Sequence, residues 1–188
     1  MILLETARLQ FRANEPGDMD AYCALEADPE VRRYVGGAPR PREVAEMRFR
    51  ERLLQSPSDR LALWAAVHKH EQRWIGYCGV YPHLPIGGAA AIPYEGALGF
   101  AYARAYWGRG LATEAARAFV AFGLGELRLT RIVAAVQQGN LASLRVLKKA
   151  GFREVSLEVG KDRSYHHLEI TPPLPRGDSA SYVSPRRG

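Results

Sequence analysis

Cysteine is nearly absent from this sequence, which contains only two, Cys23 and Cys78. They lie far apart, and no second cysteine or histidine stands beside either one at the spacing of metal ligands. The two close histidine pairs also lack the cysteines or carboxylates that usually complete a zinc site. We therefore expect two ordinary buried thiols and no metal.

Long apolar runs are also lacking. The most apolar stretches, Gly87 to Ile92 and Ala118 to Leu124, are far shorter than the roughly 20 residues that cross a bilayer. The first residues, Met1 to Arg8, have no basic segment before their apolar residues, unlike a secretory signal. We expect no membrane partner and a cytoplasmic location.

A basic stripe interleaved with aromatic residues, typical of nucleic-acid recognition, is missing too. The net charge of +6 and the pI near 9.5 suit an anionic ligand. Part of this charge lies in the segment 172–188, rich in Pro, Ser, Gly and Arg, which we expect to be a mobile tail. We predict no specific nucleic-acid partner, although an RNA- or ribosome-associated role through the tail stays a weaker alternative.

The order of predicted elements indicates a mixed α/β sheet. Alternating and apolar runs predict strands, and three- and four-residue apolar spacing predicts helices. The resulting order is strand, two helices, three strands, helix, strand, helix and two strands, which implies helices on both faces of one sheet. At 188 residues, we expect one domain over residues 1–171.

The first segment that could carry chemistry joins a predicted strand, Leu98 to Ala103, to a helix that starts near Thr113. Its loop contains Gly108-x-Gly110-x-Ala112. Glycines let a ligand approach the backbone, and the free N–H groups of a helix start attract anions. Thr113 replaces the third glycine of a dinucleotide fingerprint, and no P-loop lysine is present. The loop predicts a diphosphate site, with a plain connecting turn as the alternative.

The second segment is Gln138 to Leu144, which follows another predicted strand. Asn140 is a natural N-cap, and Ser143 lies over the same helix end. By itself this segment indicates only a capped helix. Because two helices would then begin at the same edge of an open sheet, where ligands of such sheets bind, we expect both segments to face one ligand.

Together, these motifs resemble the GNAT superfamily of N-acetyltransferases. The run Leu98 to Ala116, with Tyr-Trp-Gly-x-Gly-x-Ala-Thr-Glu-Ala, is followed at the family's separation by Asn140-x-x-Ser143 and Gly151-Phe152. Thr6-Ala-Arg8-Leu9 is similar to the opening strand of the RimJ/RimL-like branch. The resemblance covers about residues 3–171 and implies a GNAT-like acyl-CoA N-acyltransferase fold.

The resemblance also implies that acetyl-CoA is the co-substrate. The loop would wrap the CoA pyrophosphate, and the strand would pair with the pantetheine arm, where an N–H near Phe100 to Tyr102 would polarise the thioester carbonyl. The implied CoA-binding residues are Phe100, Ala101, Tyr102, Trp107, Gly108, Arg109, Gly110, Leu111, Ala112, Thr113, Asn140 and Ser143. The broad family has Gln or Arg where Trp107 stands, but Trp is usual in the RimJ/RimL-like branch.

The catalytic residues are less clearly marked. Many relatives carry a tyrosine where this chain has Leu147, so we expect Ser143, or a water that it holds, to protonate the CoA thiolate. Relatives often place a glutamate where this chain has Ala97. Glu95, two residues earlier on the same strand face, is the candidate general base, and His83 is a weaker one.

The implied reaction is direct transfer of an acetyl group to a primary amine, either a protein N-terminus or a small molecule. The acceptor pocket is expected from residues 18–55 and 81–94. Because relatives' catalytic residues are missing at Ala97 and Leu147, a non-catalytic acyl-CoA-binding or regulatory module is the alternative. A homodimer is kept open as the assembly.

Overall fold

The computed structural model describes residues 2–53, 60–84 and 92–172. Its eight strands are β1 Ile2–Glu5, β2 Leu9–Arg12, β3 Trp64–His68, β4 Arg73–Pro82, β5 Glu95–Tyr102, β6 Arg131–Gln137, β7 Arg153–Val159 and β8 Ser164–Ile170. Its helices are α1 Met19–Ala27, α2 Pro29–Arg32, α3 Arg42–Arg52, α4 Leu111–Ala121 and α5 Leu141–Lys149. The predicted tail, apart from its first residue, lies outside the described residues.

All eight strands form one mixed sheet in the order β1-β2-β3-β4-β5-β6-β8-β7. Every neighbouring pair is antiparallel except β5 and β6, which run parallel. One core packs α4 and α5 against the sheet through side chains such as Phe119 and Leu147. A second core packs Tyr22 of α1 and Phe49 of α3 against the opposite face. The predicted mixed α/β fold with helices on both faces is confirmed.

Local sequence explains most element ends. Ala115 and Phe119, four residues apart on α4, are fully buried, as the apolar spacing of a helix requires. After α5, Gly151 adopts a φ of +99°, and the N–H of Phe152 donates to the carbonyl of Leu147, which is a Schellman ending. No helix in the described ranges has both the length and the apolar character to cross a membrane.

Three local features differ from the sequence prediction. Strand β1 was missed because Ile2–Glu5 shows no polar-apolar alternation and lies at the sheet edge. Helix α2 was missed because Asp28 both ends α1 and caps the next helix, accepting from the N–H of Glu30. Asp18, a residue type that favours the N-cap position, directly precedes α1, but its carboxylate pairs with Arg12 at 2.7 Å instead of capping that helix.

A buried ion cluster holds the segment after α2. Glu26 is only 1% exposed and Arg32 only 2% exposed. The Oε2 atom of Glu26 lies 2.5 Å from Nη1 of Arg40 and 3.3 Å from Nη1 of Arg32. Arg32 Nε also donates to the carbonyl of Ala38. One buried carboxylate thus fixes both ends of the loop that joins α2 to α3.

We predict that Glu26→Ala lowers the free energy of unfolding by about 3 kcal/mol or more, because it leaves buried guanidinium charge without its partner. Urea denaturation would measure the loss. Asp20→Ala is the control, since Asp20 lies on the same helix, is 82% exposed and pairs with Arg42 at the surface. It should cost no more than about 1 kcal/mol. Equal costs for both variants would contradict the anchoring role.

Candidate active site

The site begins where β5 and β6 stop pairing. The two parallel strands pair only through Glu95–Ala97 with Arg131–Val133. Beyond these residues, Leu98 to Phe100 and Ala134 to Gln137 line a cleft with a volume of about 1160 Å³. We call this cleft the sheet compartment. A sheet that separates in its middle exposes main-chain groups that a ligand can pair with.

Strand β5 turns alternate main-chain groups to this opening. On its other side the N–H of Ala103 donates to the carbonyl of Ile75 in line with β4, and alternate residues of an antiparallel strand make such bonds. Ala101 therefore also faces β4, whereas Phe100 and Tyr102 direct their N–H and C=O groups away from β4. The last bridge to β6, between Ala97 and Val133, uses the N–H of Leu98, so only the C=O of Leu98 faces the opening. The N–H of Phe100, which lies in this opening, fits the predicted donor between Phe100 and Tyr102.

Trp107 closes the far end of the opening. Its indole Nε1 donates to the carbonyl of Tyr102 at 2.7 Å. This hydrogen bond satisfies the last carbonyl of β5 that faces away from β4. Trp107, Ala101 and Tyr102 all line a smaller cleft of about 390 Å³ next to the loop. We call this cleft the loop compartment. The departure from the broad family pattern at Trp107 therefore has a structural role.

The glycine loop adopts the conformation that its sequence predicts. Gly108 and Gly110 have φ values of +73° and +78°, which residues other than glycine rarely adopt. Gly110 is the N-cap of α4 and has no capping side chain. The N–H groups of Leu111, Ala112 and Thr113 therefore keep the free donors of a helix start, and all three residues line the loop compartment. This geometry suits the binding of an anion, and we call the start of α4 at Leu111, Ala112 and Thr113 the anion site.

The loop is anchored from the first turn of the chain. Arg8 Nε donates to Oε2 of Glu114 at 2.7 Å, and Arg8 Nη1 donates to the carbonyl of Arg109 at 2.8 Å. The hydroxyl of Thr6 donates to Oε1 of Glu114 at 2.6 Å. Partial burial would raise the pKa of Glu114, but the bonds from Thr6 and Arg8 outweigh it and hold this pKa below its usual value. We call this group the loop anchor.

The side chain of Arg109 is not among those that line the loop compartment. Its guanidinium lies over the ring of Tyr106, 5.1 Å from the ring centre, and 3.8 Å from Oε1 of Glu71. The contact with Glu71 could not be predicted from the sequence, because Glu71 belongs to the distant β3–β4 turn. The geometry therefore favours the main chain of Arg109, and not its side chain, as the part that serves the anion site.

The start of α5 faces the same opening. Asn140 Oδ1 accepts from the N–H of Ser143 at 3.1 Å, as the predicted cap requires. Arg145 and Lys149, both on α5, line the loop compartment. These two cations add positive charge to the anion site, and sequence spacing alone did not show which face of α5 they would occupy.

Only five of the described residues line both compartments, and they mark where the two clefts meet. They come from the α2–α3 loop, β5 and the start of α5: Tyr34, Val35, Phe100, Asn140 and Ser143. The sequence identified the last three. A ligand that lies in the loop compartment and reacts with a second ligand in the sheet compartment would react here.

Glu95 lies where β5 and β6 still pair, and its carboxylate forms hydrogen bonds with two side chains. Its Oε2 atom is 2.8 Å from Nη2 of Arg131 and 2.9 Å from Nδ1 of His83. The hydrogen bond from Arg131 and then that from His83 lower the pKa of Glu95 despite partial burial. An ionised carboxylate only accepts hydrogen bonds, so the proton of this hydrogen bond lies on Nδ1 of His83.

His83 lines the sheet compartment, whereas Glu95 is not among its lining residues. Glu95 as the base stays a prediction, and its Oε2 atom already accepts hydrogen bonds from Arg131 and His83. The expected acceptor pocket is represented by Tyr34 and Val35 from one segment and Tyr81 to Leu84 from the other. Residues 54–59 and 85–91 lie outside the described residues.

Comparison with known proteins identifies the family. The model of the acetyltransferase (GNAT) domain matches residues 8–153. The chain belongs to the GNAT acetyltransferase family. The predicted family and the prediction of an enzyme are confirmed. The uncharacterized N-acetyltransferase p20 of Bacillus licheniformis is 31% identical over 162 residues, 84% of this chain and 85% of the relative.

Solved structures share the fold of this acetyltransferase. A GNAT-family acetyltransferase from Bacillus anthracis superposes with a TM-score of 0.77 at 20% identity, over 91% of this chain and 98% of that chain. Spermidine N-acetyltransferase from Vibrio cholerae, solved with CoA and spermine, gives 0.70 at 17% identity, over 88% and 96%. Both likenesses support the fold of this chain.

We predict that Glu114→Gln weakens CoA binding about tenfold, because it removes the charge that holds Thr6 and Arg8 to the loop. A loss near 1.4 kcal/mol corresponds to that factor. Titration calorimetry with CoA would measure it without any acceptor. Glu126→Gln is the control, since Glu126 pairs with Arg60 at the surface. Unchanged affinity in Glu114→Gln would show that the loop anchor does not serve the anion site.

Proposed function

We propose that this acetyltransferase binds acetyl-CoA across the two compartments and transfers the acetyl group directly to a primary amine. The observation that carries the proposal is the parting of β5 and β6 beside two helix starts. The uncapped start of α4 and the cations Arg145 and Lys149 suit the phosphates of CoA. The outward C=O of Leu98 and the outward N–H and C=O of Phe100 suit its amide-containing arm.

The acetyl thioester would lie where the compartments meet. The N–H of Phe100 would donate to the thioester oxygen as it gains negative charge, and one such donor is worth about 10²–10³ in rate. Ser143, or a water that it holds, would donate to the sulfur. These assignments follow from the geometry of β5 and the start of α5, and they keep Ser143 in the predicted part of the site.

The amine must lose a proton when it attacks. Because His83 stands opposite Glu95, five residues and thus about 17 Å along the strand from Phe100, the proton would pass through water in the sheet compartment. Nε2 of His83 would accept it, and Glu95 would hold the imidazole in the correct tautomer. His83 therefore takes the role of base, and Glu95 becomes the residue that positions it.

The acceptor is a primary amine of a protein N-terminus or of a small molecule. Within the family we propose the RimJ/RimL-like branch, supported by Thr6-x-Arg8 and Trp107, which have structural roles at the loop. The cytoplasmic location, the homodimer and the division into residues 1–171 and a tail stay predictions from the sequence.

The test of the function is an acceptor screen. The protein and acetyl-CoA are incubated with peptides that have free N-termini, with polyamines and with aminoglycosides, and products are weighed by mass spectrometry. We expect a mass gain of one acetyl group on at least one class, together with release of CoA. Tight CoA binding without transfer to any amine would contradict the proposal and favour the non-catalytic alternative.

We predict that His83→Gln lowers kcat about 100-fold, because it removes the free base from the sheet compartment, while the affinity for CoA stays unchanged. Glu95→Gln should lower kcat less, since His83 remains. His70→Gln is the control, because His70 is exposed in the β3–β4 turn. A larger loss in Glu95→Gln than in His83→Gln would return the role of base to Glu95.

A further inference from the structure

Tyr34 reaches the meeting point of the two compartments from the side opposite α5. Its ring lies against Gly139, with Cε1 at 3.7 Å and Oη at 3.8 Å from the point that a Cβ of residue 139 would occupy. Gly139 directly precedes Asn140, which caps α5. The phenol thus lies at the helix start where the proposed function places the leaving sulfur.

Of the five residues that line both compartments, only Tyr34 and Ser143 carry a hydroxyl group. The side-chain oxygen of Asn140 is already used as the cap. Farther along α5, Leu147 lines the sheet compartment but is apolar. The candidates for a proton donor at this point are therefore two, and Tyr34 comes from an element that the sequence motifs did not indicate.

Tyr34 is held in place by the buried ion cluster at Glu26. Arg32 immediately precedes the loop that contains Tyr34, and Arg40 closes it; both pair with Glu26. The N–H of Val35 also donates to the carbonyl of Arg32 at 3.1 Å. A loop fixed at both ends by a buried carboxylate keeps its aromatic side chain in a defined position.

We propose that Tyr34 is a further catalytic residue, whose phenol gives its proton to the CoA sulfur as the carbon–sulfur bond breaks. This inference rests on the proposed function and refines it. The amine nitrogen forms the new bond to the acetyl carbon, and the sulfur leaves with the bonding electrons. It takes the proton from the phenol, the amine proton goes to His83 through water, and solvent restores both residues.

The chemistry favours a phenol over an aliphatic hydroxyl for this step. Phenols as a class have a pKa of about 10 and alkyl thiols about 8.5, so proton transfer to a thiolate is nearly balanced. The pKa of an aliphatic hydroxyl is much higher and close to that of water, so this group is a poor proton donor. Ser143 then serves by orienting the sulfur with a hydrogen bond.

The test compares Tyr34→Phe with wild type, Ser143→Ala and Tyr165→Phe. Tyr165 lies on β8, lines neither compartment and is the matched control. With an acceptor found in the screen, we expect Tyr34→Phe to lower kcat about 100-fold and to leave the Kd for CoA within twofold. Ser143→Ala should lose less. A loss in kcat without a change in Kd is the expected mark of a group that acts on the reacting sulfur, which a merely structural role would not cause.

Wild-type kcat in Tyr34→Phe would overturn the proposal about Tyr34 alone. So would a fall in kcat that comes with an equally large loss of affinity for CoA. A wild-type protein that transfers acetyl to no amine would overturn the proposed function as well, so the two failures are distinguishable.

Discussion

The structure depends on one interruption in its sheet, the point after Ala97 and Val133 where β5 and β6 no longer pair. A continuous sheet would satisfy every main-chain group of both strands and leave no space between them. Because pairing stops, the C=O of Leu98 and the N–H and C=O of Phe100 face the opening and not a neighbouring strand. Such groups are costly to bury without partners, so a ligand that supplies them gains both affinity and position.

Three loops surround this interruption, and each is fixed by a different interaction. The glycine loop is held by Glu114 with Thr6 and Arg8, the start of α5 by the Asn140 cap, and the α2–α3 loop by Glu26. The carboxylate of Glu114 joins parts of the chain that are far apart in sequence, and the carboxylate of Glu26 is buried with its partners. The loops around the site are therefore held in position before a ligand binds. Pre-aimed donors need little reorganisation during reaction, which is where electrostatic catalysis gains most.

Much of this arrangement could be predicted from local sequence, and the rest could not. Gly108, Gly110, Asn140 and Ser143 were found because their roles depend on backbone conformation and helix ends, which neighbouring residues determine. The bond between Arg8 and Glu114 spans 106 positions, and no periodicity reports it. Tyr34 was missed for the same reason, since its proposed role depends on the position of the α2–α3 loop over Gly139. Glu95 was found on the correct strand, but its partners His83 and Arg131 change what its carboxylate can do.

The proposed function requires the outward edge of β5 to pair with the CoA arm. Amide hydrogen exchange, followed by NMR with and without saturating CoA, measures this pairing. We expect the amide of Phe100 to exchange at least about tenfold more slowly when CoA is bound, because it gains a hydrogen-bond partner. The amide of Ala101, which faces β4, should not change. An unprotected Phe100 amide under conditions where calorimetry shows CoA bound would contradict the account.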